Sequence, residues 1–238
     1  MAGLNRLRAP VFEIGLKGYA YGAEAVRLAR AADELSAELG VSVIFDPQAV
    51  DIPAVAQATG HILVFAQHMD PVAPGRGVGS VLAEAIKEAG AYGTMLNHSE
   101  RRMTLSDINR SIGRAKEVGL ATMVYADSPE EAAALAMLGP DVILAEPPEL
   151  IATSRSAATE MRGFVERAVE LVGRIDPGII VMCGAGVQTP EDVAGMIRLG
   201  VGGTGSSSGI LKADDPIAMM RAMITAMDRA WIAERTME

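Results

Sequence analysis

Three residues of different chemistry each follow a short apolar run in this chain. Glu146 follows Val142-Ile-Leu-Ala145 and opens the stiff segment Pro147-Pro148-Glu149. His98 lies in Asn97-His-Ser-Glu-Arg101, directly after Gly93-Thr-Met-Leu96, and Lys17 comes soon after Val11-Phe-Glu-Ile14. A carboxylate, an imidazole and an ammonium group together suit proton transfer at a carbon next to a carbonyl. The carboxylate removes the carbon-bound proton, the neutral imidazole donates a hydrogen bond to the oxygen as an enediolate forms, and the ammonium group stabilises the new charge. Each acid–base partner is worth roughly 100- to 10,000-fold in rate. Taken singly, a lysine, histidine or glutamate after a strand is more often a solvated loop residue, so the chemistry depends on elements that bring all three to one face.

The pattern along the chain supplies such elements. Short β-rich runs occur at residues 11–16, 41–46, 62–66, 93–96, 121–125, 142–145, 179–183 and 201–205, and the alanine-rich stretches between them, such as 23–39 and 160–172, carry apolar residues at helical spacing. Ser128-Pro-Glu-Glu131 and Thr189-Pro-Glu-Asp192 each place a hydroxyl at the N-cap, proline at the first helical position and an acid three residues on. Asp215-Pro216 reads the same way. Near-continuous apolar strands alternating with amphipathic helices predict parallel strands covered by helices. Eight such units favour a closed (β/α)8 barrel over an open doubly wound sheet, with residues 1–238 as a single domain and the site where the strands end.

Composition narrows the function classes. At 238 residues, 50% hydrophobic and 21% charged, the chain can bury a large core as one unit, and disorder is not expected. A net charge of −9 argues against a nucleic-acid footprint or a polybasic membrane patch, and no apolar stretch approaches the roughly 20 residues of a membrane span. The one cysteine, Cys183, rules out an internal disulfide and provides too few thiolates for a zinc or iron–sulfur site. It reads as a buried, idle strand-end residue, and the cytoplasm is the expected location. The methionines at 219, 220, 223 and 227 share helical spacing and are expected to pack a helix.

Two glycine-rich segments fall on the last two strand ends. Cys183-Gly-Ala-Gly186 follows the seventh and Gly202-Gly-Thr-Gly-Ser-Ser-Ser-Gly209 the eighth, and both offer unobstructed backbone N–H groups. Phosphate binding after strands seven and eight recurs in such barrels, and backbone donors would let an acidic protein hold an anion. No Lys-Ser/Thr follows the Gly-Thr-Gly-Ser run, so a P-loop is rejected.

Lys17-Gly-Tyr19, Phe65-Ala-Gln-His68, Leu96-Asn-His-Ser-Glu-Arg101, Glu146-Pro-Pro-Glu-Leu-Ile151, Cys183-Gly-Ala-Gly186 and Ser208-Gly209, in that order, resemble the triosephosphate isomerase family, in particular its shorter archaeal-type branch, from about residue 10 to about 225. The resemblance implies a TIM barrel and a cofactor-independent ketose–aldose isomerase acting on a small phosphorylated sugar, as a homodimer or homotetramer, with no metal. It implies Glu146 as base, His98 as neutral electrophile and Lys17 as electrostatic partner, an assignment for which this family is itself the standard example. The phosphate would be held at Ala152, Gly184, Gly186, Ser207 and Ser208. Glu100 is expected to form structural hydrogen bonds or ion pairs with Lys17 or neighbouring strands, with a proton-relay role as the other reading, and His68 is expected to lie behind the site or at a subunit contact.

This chain also departs from the family pattern. Gly15 stands where the family has a substrate-touching asparagine, which predicts a missing amide and extra space beside Lys17. The mobile loop after strand six reads Ala152-Thr-Ser154-Arg155 rather than Gly-Thr-Gly, and Val78 replaces a threonine in the loop that makes subunit contacts. Two other readings therefore stay open: the same mechanism on a four-carbon ketose phosphate, and a noncatalytic phosphosugar binder.

Overall fold

The computed structural model describes residues 7–147, 161–184 and 186–236. Eight parallel strands, β1 (Val11–Gly15), β2 (Ser42–Asp46), β3 (Leu63–Ala66), β4 (Gly93–Leu96), β5 (Ala121–Ala126), β6 (Val142–Ala145), β7 (Ile180–Cys183) and β8 (Gly203–Gly205), pair in chain order and close into a barrel. Closure is made by β1 against β8, with Val11 opposite Gly203 and Glu13 opposite Gly205. The helices that cover it are α1 (Gly22–Leu39), α2 (Ile52–Ala58), α3 (Ala83–Glu88), α4 (Leu105–Val118), α5 (Pro129–Ala136), α6 (Arg162–Ile175), α7 (Pro190–Arg198), the short α8 (Ser208–Leu211) and α9 (Pro216–Thr236).

The expected caps form. Thr189 and Asp192 close a reciprocal capping box at the start of α7, and the Ser128 hydroxyl accepts from the Glu131 N–H at the start of α5. Asp215 accepts from the N–H groups of Ile217 and Ala218 at the start of α9. Met220, Met223 and Met227 are buried on α9, and Cys183 is buried at the end of β7. Among the described residues, no helix is long and apolar enough to cross a membrane.

Alternation along the strands separates two apolar layers. Phe12, Ile14, Val43 and Phe45 pack outward with helix residues such as Leu28 and Leu35, whereas Val11, Ile44, Phe65, Met95, Met123, Tyr125, Leu144 and Met182 fill the barrel itself. Glu13 and Gly15 share the inward parity of Val11, and Asp46 shares that of Ile44. The barrel's upper interior is therefore polar. Glycines in the wall make the filling possible. A Cβ on Gly93 would lie 2.5 Å from the Phe65 ring, and one on Gly203 would lie 2.3 Å from the Val11 carbonyl oxygen.

The Val11 carbonyl is backbone and cannot rotate aside. Gly203→Ala is thus expected to lower the unfolding free energy by about 1–3 kcal/mol. Gly113→Ala, within α4 and with no atom within 4 Å of the new Cβ, is expected to raise it by about 0.4–1 kcal/mol. Chemical denaturation of both variants checks the opposite signs, and shifts in the same direction would contradict this account of the wall.

Candidate active site

Lys17, His98 and Glu146 line one cleft at the C-terminal rim, together with Gly184, Gly186, Ser207 and Ser208. Ala152 and the rest of the 152–155 segment lie outside the described residues.

Lys17 sits one turn past β1 with a left-handed backbone (φ 46°), an unusual state for a lysine. Its carbonyl accepts from the side-chain amides of Gln48 (2.5 Å) and Gln67 (3.0 Å), which fix that turn, and Gln67 also donates to the Asp46 carbonyl at 2.9 Å. The Lys17 ammonium donates to Glu100 at 2.7 Å, as the sequence led one to expect. Burial works against the lysine charge, but the hydrogen bond and charge of Glu100, with Glu146 and Glu13 behind it, outweigh burial and raise its pKa. The cleft therefore holds a cation at neutral pH.

His98 follows Asn97, another left-handed residue (φ 62°). The Asn97 amide donates to the Tyr125 carbonyl at 3.0 Å and its oxygen accepts from the Met103 N–H at 3.0 Å, so the turn carrying His98 is tied to β5 and to its own exit. Arg102 supports the turn from outside, through the Asn97 carbonyl and an ion pair with Asp127. The imidazole packs edge-on to Tyr125, with 4.7 Å between centroids. The Glu100 N–H donates to Nδ1 at 3.1 Å. An Nδ1 that accepts leaves the proton on Nε2, so the ring is a neutral donor. Burial, then the nearby positive charge of Lys17, push its pKa down to about 4.

Glu146 leaves β6 with its N–H bonded to the Ala126 carbonyl at 2.8 Å. Its carboxyl lies over β7: a Cβ on Gly184 would stand 3.0 Å from Oε1. Gly184 thus makes room for the carboxylate. Beside it the last two strand-end loops interlock, since the Ser206 hydroxyl donates to the Val187 carbonyl at 2.8 Å and the Gln188 amide to the Ser208 hydroxyl at 3.3 Å. Gly186 adopts φ 69°, a state that suits glycine.

Other residues fall where expected or add to the picture. His68 bonds Asp70 at 3.1 Å in the adjoining hollow rather than lining the cleft. Cys183 is pushed up to about 12 by burial, and Glu146 adds to that, so it is a thiol. The space expected beside Lys17 at Gly15 is not there. A Cβ on residue 15 would lie 2.5 Å from both Glu13 Oε1 and the Ser207 hydroxyl, so a buried carboxyl occupies that volume. Glu13, Asp46 and Tyr125 line the cleft from below. None of the three follows a strand end, the signal that marks Lys17, His98 and Glu146, but inward parity in β1 and β2 marks two acids inside a barrel. Among the described residues, no group of three or more His, Cys, Asp or Glu converges as a metal site.

The profile of the family described as triosephosphate isomerase matches residues 11–224. The chain belongs to the triosephosphate isomerase family. It is 40% identical over 216 residues to the triosephosphate isomerase of Methanobacterium bryantii, covering 90% of this chain and 95% of that one. To that of Methanothermus fervidus it is 38% identical over 220 residues, covering 92% and 99%. The crystal structure of triosephosphate isomerase from Bartonella henselae superimposes with a TM-score of 0.70 at 20% identity, over 91% of this chain and 99% of that one, a likeness of fold.

Ring 15N NMR should show His98 as a neutral Nε2–H imidazole throughout pH 5–8, with its titration near about 4. Midpoint protonation near the ordinary histidine value of 6.5 would show that the ring is neither dry nor held by the Glu100 N–H.

Proposed function

We propose that this protein is an aldose–ketose isomerase that interconverts dihydroxyacetone phosphate and glyceraldehyde 3-phosphate through an enediol intermediate. The observation that carries this reading is the state of His98: a neutral imidazole with Nδ1 already occupied, in one cleft with a charged lysine and a carboxylate from two other strands. Glu146 removes the proton from carbon 1 of the ketone and returns it to carbon 2. His98 Nε2–H steadies the carbonyl oxygen as it becomes an enediolate. Lys17 stabilises the charge without titrating. A protonated imidazole at this position would lose acidity matching to the enediol, so its low pKa serves the reaction.

The phosphate is assigned to the backbone around Gly186, Ser207 and Ser208, with Gly184 beside them and Ala152 from the segment after β6. Backbone donors suit an anion in a chain of net charge −9, because they attract it locally against an unfavourable global field. The reaction as proposed uses no metal and no cofactor. The relatives named above support the substrate class. We read residues 1–238 as one cytoplasmic domain without a nucleic-acid or membrane partner, assembling as a homodimer or homotetramer. Val78, fully exposed on the loop between β3 and α3, is an apolar side chain that a subunit contact would cover.

Glu146→Gln is expected to lower turnover of dihydroxyacetone phosphate by about 100- to 10,000-fold while a phosphorylated inhibitor still binds. A coupled assay with inhibitor titration measures both, and undiminished turnover would remove Glu146 as the base.

A further inference from the structure

The floor of the cleft is built for something that the reaction on a triose does not explain. Glu13 and Asp46 stand on neighbouring strands two residues below Gly15 and at the end of β2, and both are buried. The Glu13 carboxyl lies in a niche cleared by two glycines. A Cβ on Gly15 would strike its Oε1 at 2.5 Å, and one on Gly205, its register partner on β8, would strike its Oε2 at 2.3 Å. Removing inward side chains from two adjacent strands to admit one carboxyl is costly in packing, and it places that carboxyl in the same cleft as Lys17, His98 and Glu146.

Asp46 is the sharper observation. It is wholly buried, and neither carboxyl oxygen has a hydrogen-bond donor among the protein's ordinary donors. The group that faces it is the Glu13 carboxyl, and two acids that share a buried site must share a proton. Burial first holds both above the ordinary carboxylate range, with the charge and hydrogen bond of Glu13 adding to it at Asp46 and the charge of Glu146 adding to it at Glu13, while Lys17 pulls both the other way. One shared proton leaves lone pairs without a donor at the bottom of a ligand cleft, with Glu13 as the less buried member of the pair and Asp46 behind it. A phosphate would be repelled there. A hydroxyl group, which donates to a carboxylate and accepts from a carboxylic acid, fits both partners.

We propose that the Glu13–Asp46 pair is a binding subsite for a hydroxymethyl group beyond the reacting carbons, so that the enzyme also isomerises a four-carbon 2-ketose 1-phosphate. The proposal rests on the assignment of Glu146, His98 and Lys17 above and extends it to a longer substrate. If the phosphate and carbonyl keep the spacing they have in dihydroxyacetone phosphate, the added carbon lies beyond the carbon that loses its proton. Glu146 takes the proton from carbon 3, the enediol forms across carbons 2 and 3, and a proton returns to carbon 2 while the hydroxyl proton on O3 moves to O2. Carbon 3 becomes the carbonyl as carbon 2 is reduced to a carbinol, with no outside oxidant. The product is the 2-ketose 4-phosphate, and its terminal hydroxymethyl group remains on the carboxyl floor throughout.

The test compares erythrulose 1-phosphate with dihydroxyacetone phosphate, using the wild type, Asp46→Asn, Glu13→Gln and Glu146→Gln. The wild type is expected to turn over the four-carbon ketose with kcat/KM within tenfold of the triose value or above it. Asp46→Asn and Glu13→Gln are expected to lower the four-carbon to three-carbon ratio of kcat/KM by tenfold or more, chiefly through KM. Wild-type turnover of the triose alone overturns the subsite and leaves the base assignment standing. Equal losses on both substrates in the floor variants also overturn it, by making the pair a general support of the cleft. Undiminished activity of Glu146→Gln on either substrate overturns the reading beneath the proposal, and the proposal with it. The wild-type comparison decides the matter even if a floor variant does not fold.

Discussion

Withdrawal of ionisable groups from water at the C-terminal end of a closed parallel barrel is the constraint on which the site depends. Closure gathers the C-terminal ends of eight strands on one rim, where side chains from β1, β4 and β6 share a small, partly dry volume. Desolvation alone would neutralise every group there. The partners decide otherwise, group by group. His98 has positive neighbours in Lys17 and Arg102 and stays neutral, while Lys17 has Glu100 at 2.7 Å and keeps its charge. Glu13 and Asp46 have chiefly each other, so they hold a proton between them. One physical effect thus yields a donor, a cation and an acid pair side by side.

The backbone is arranged to keep those partners in register. The two non-glycine residues with left-handed backbones among the described residues are Lys17 and Asn97, one carrying the cation and the other immediately preceding the imidazole. Such conformations cost of order 1–3 kcal/mol each and persist only where the surroundings hold them. Gln48 and Gln67 hold the first, and Tyr125, Met103 and Arg102 hold the second. Glu100 links the two turns, since its backbone N–H sets the His98 tautomer while its carboxylate anchors Lys17. A single residue therefore coordinates the charge state of one partner and the proton position of the other.

The architecture was legible in the sequence because barrel strands and helix caps are local signals. Strands were placed to within two residues, and the hydroxyl–proline–acid helix starts at Ser128 and Thr189 formed as written. The placement of Lys17, His98 and Glu146 in one cleft followed from the barrel rule alone. What could not be read was volume. Gly15 looked like a vacancy because an absent side chain suggests space, yet whether a space is empty depends on long-range neighbours. Here the neighbours are Glu13 on the same strand, Ser207 from the far end of the chain and Asp46 on β2, while Gly205 across the barrel closure makes room for the Glu13 carboxyl. Parity along β1 held the missing information, but it becomes a statement about contacts only when β1 and β8 are joined.

The most direct test of a base, a neutral donor and a cation acting on one carbon–oxygen unit is the fate of the migrating hydrogen. When dihydroxyacetone phosphate is isomerised in deuterium oxide and the product is trapped irreversibly, most glyceraldehyde 3-phosphate should carry deuterium at carbon 2, because a proton resting on Glu146 exchanges with solvent. Product formed at full rate with only the original hydrogen at that carbon would mean direct hydride transfer and would contradict the account.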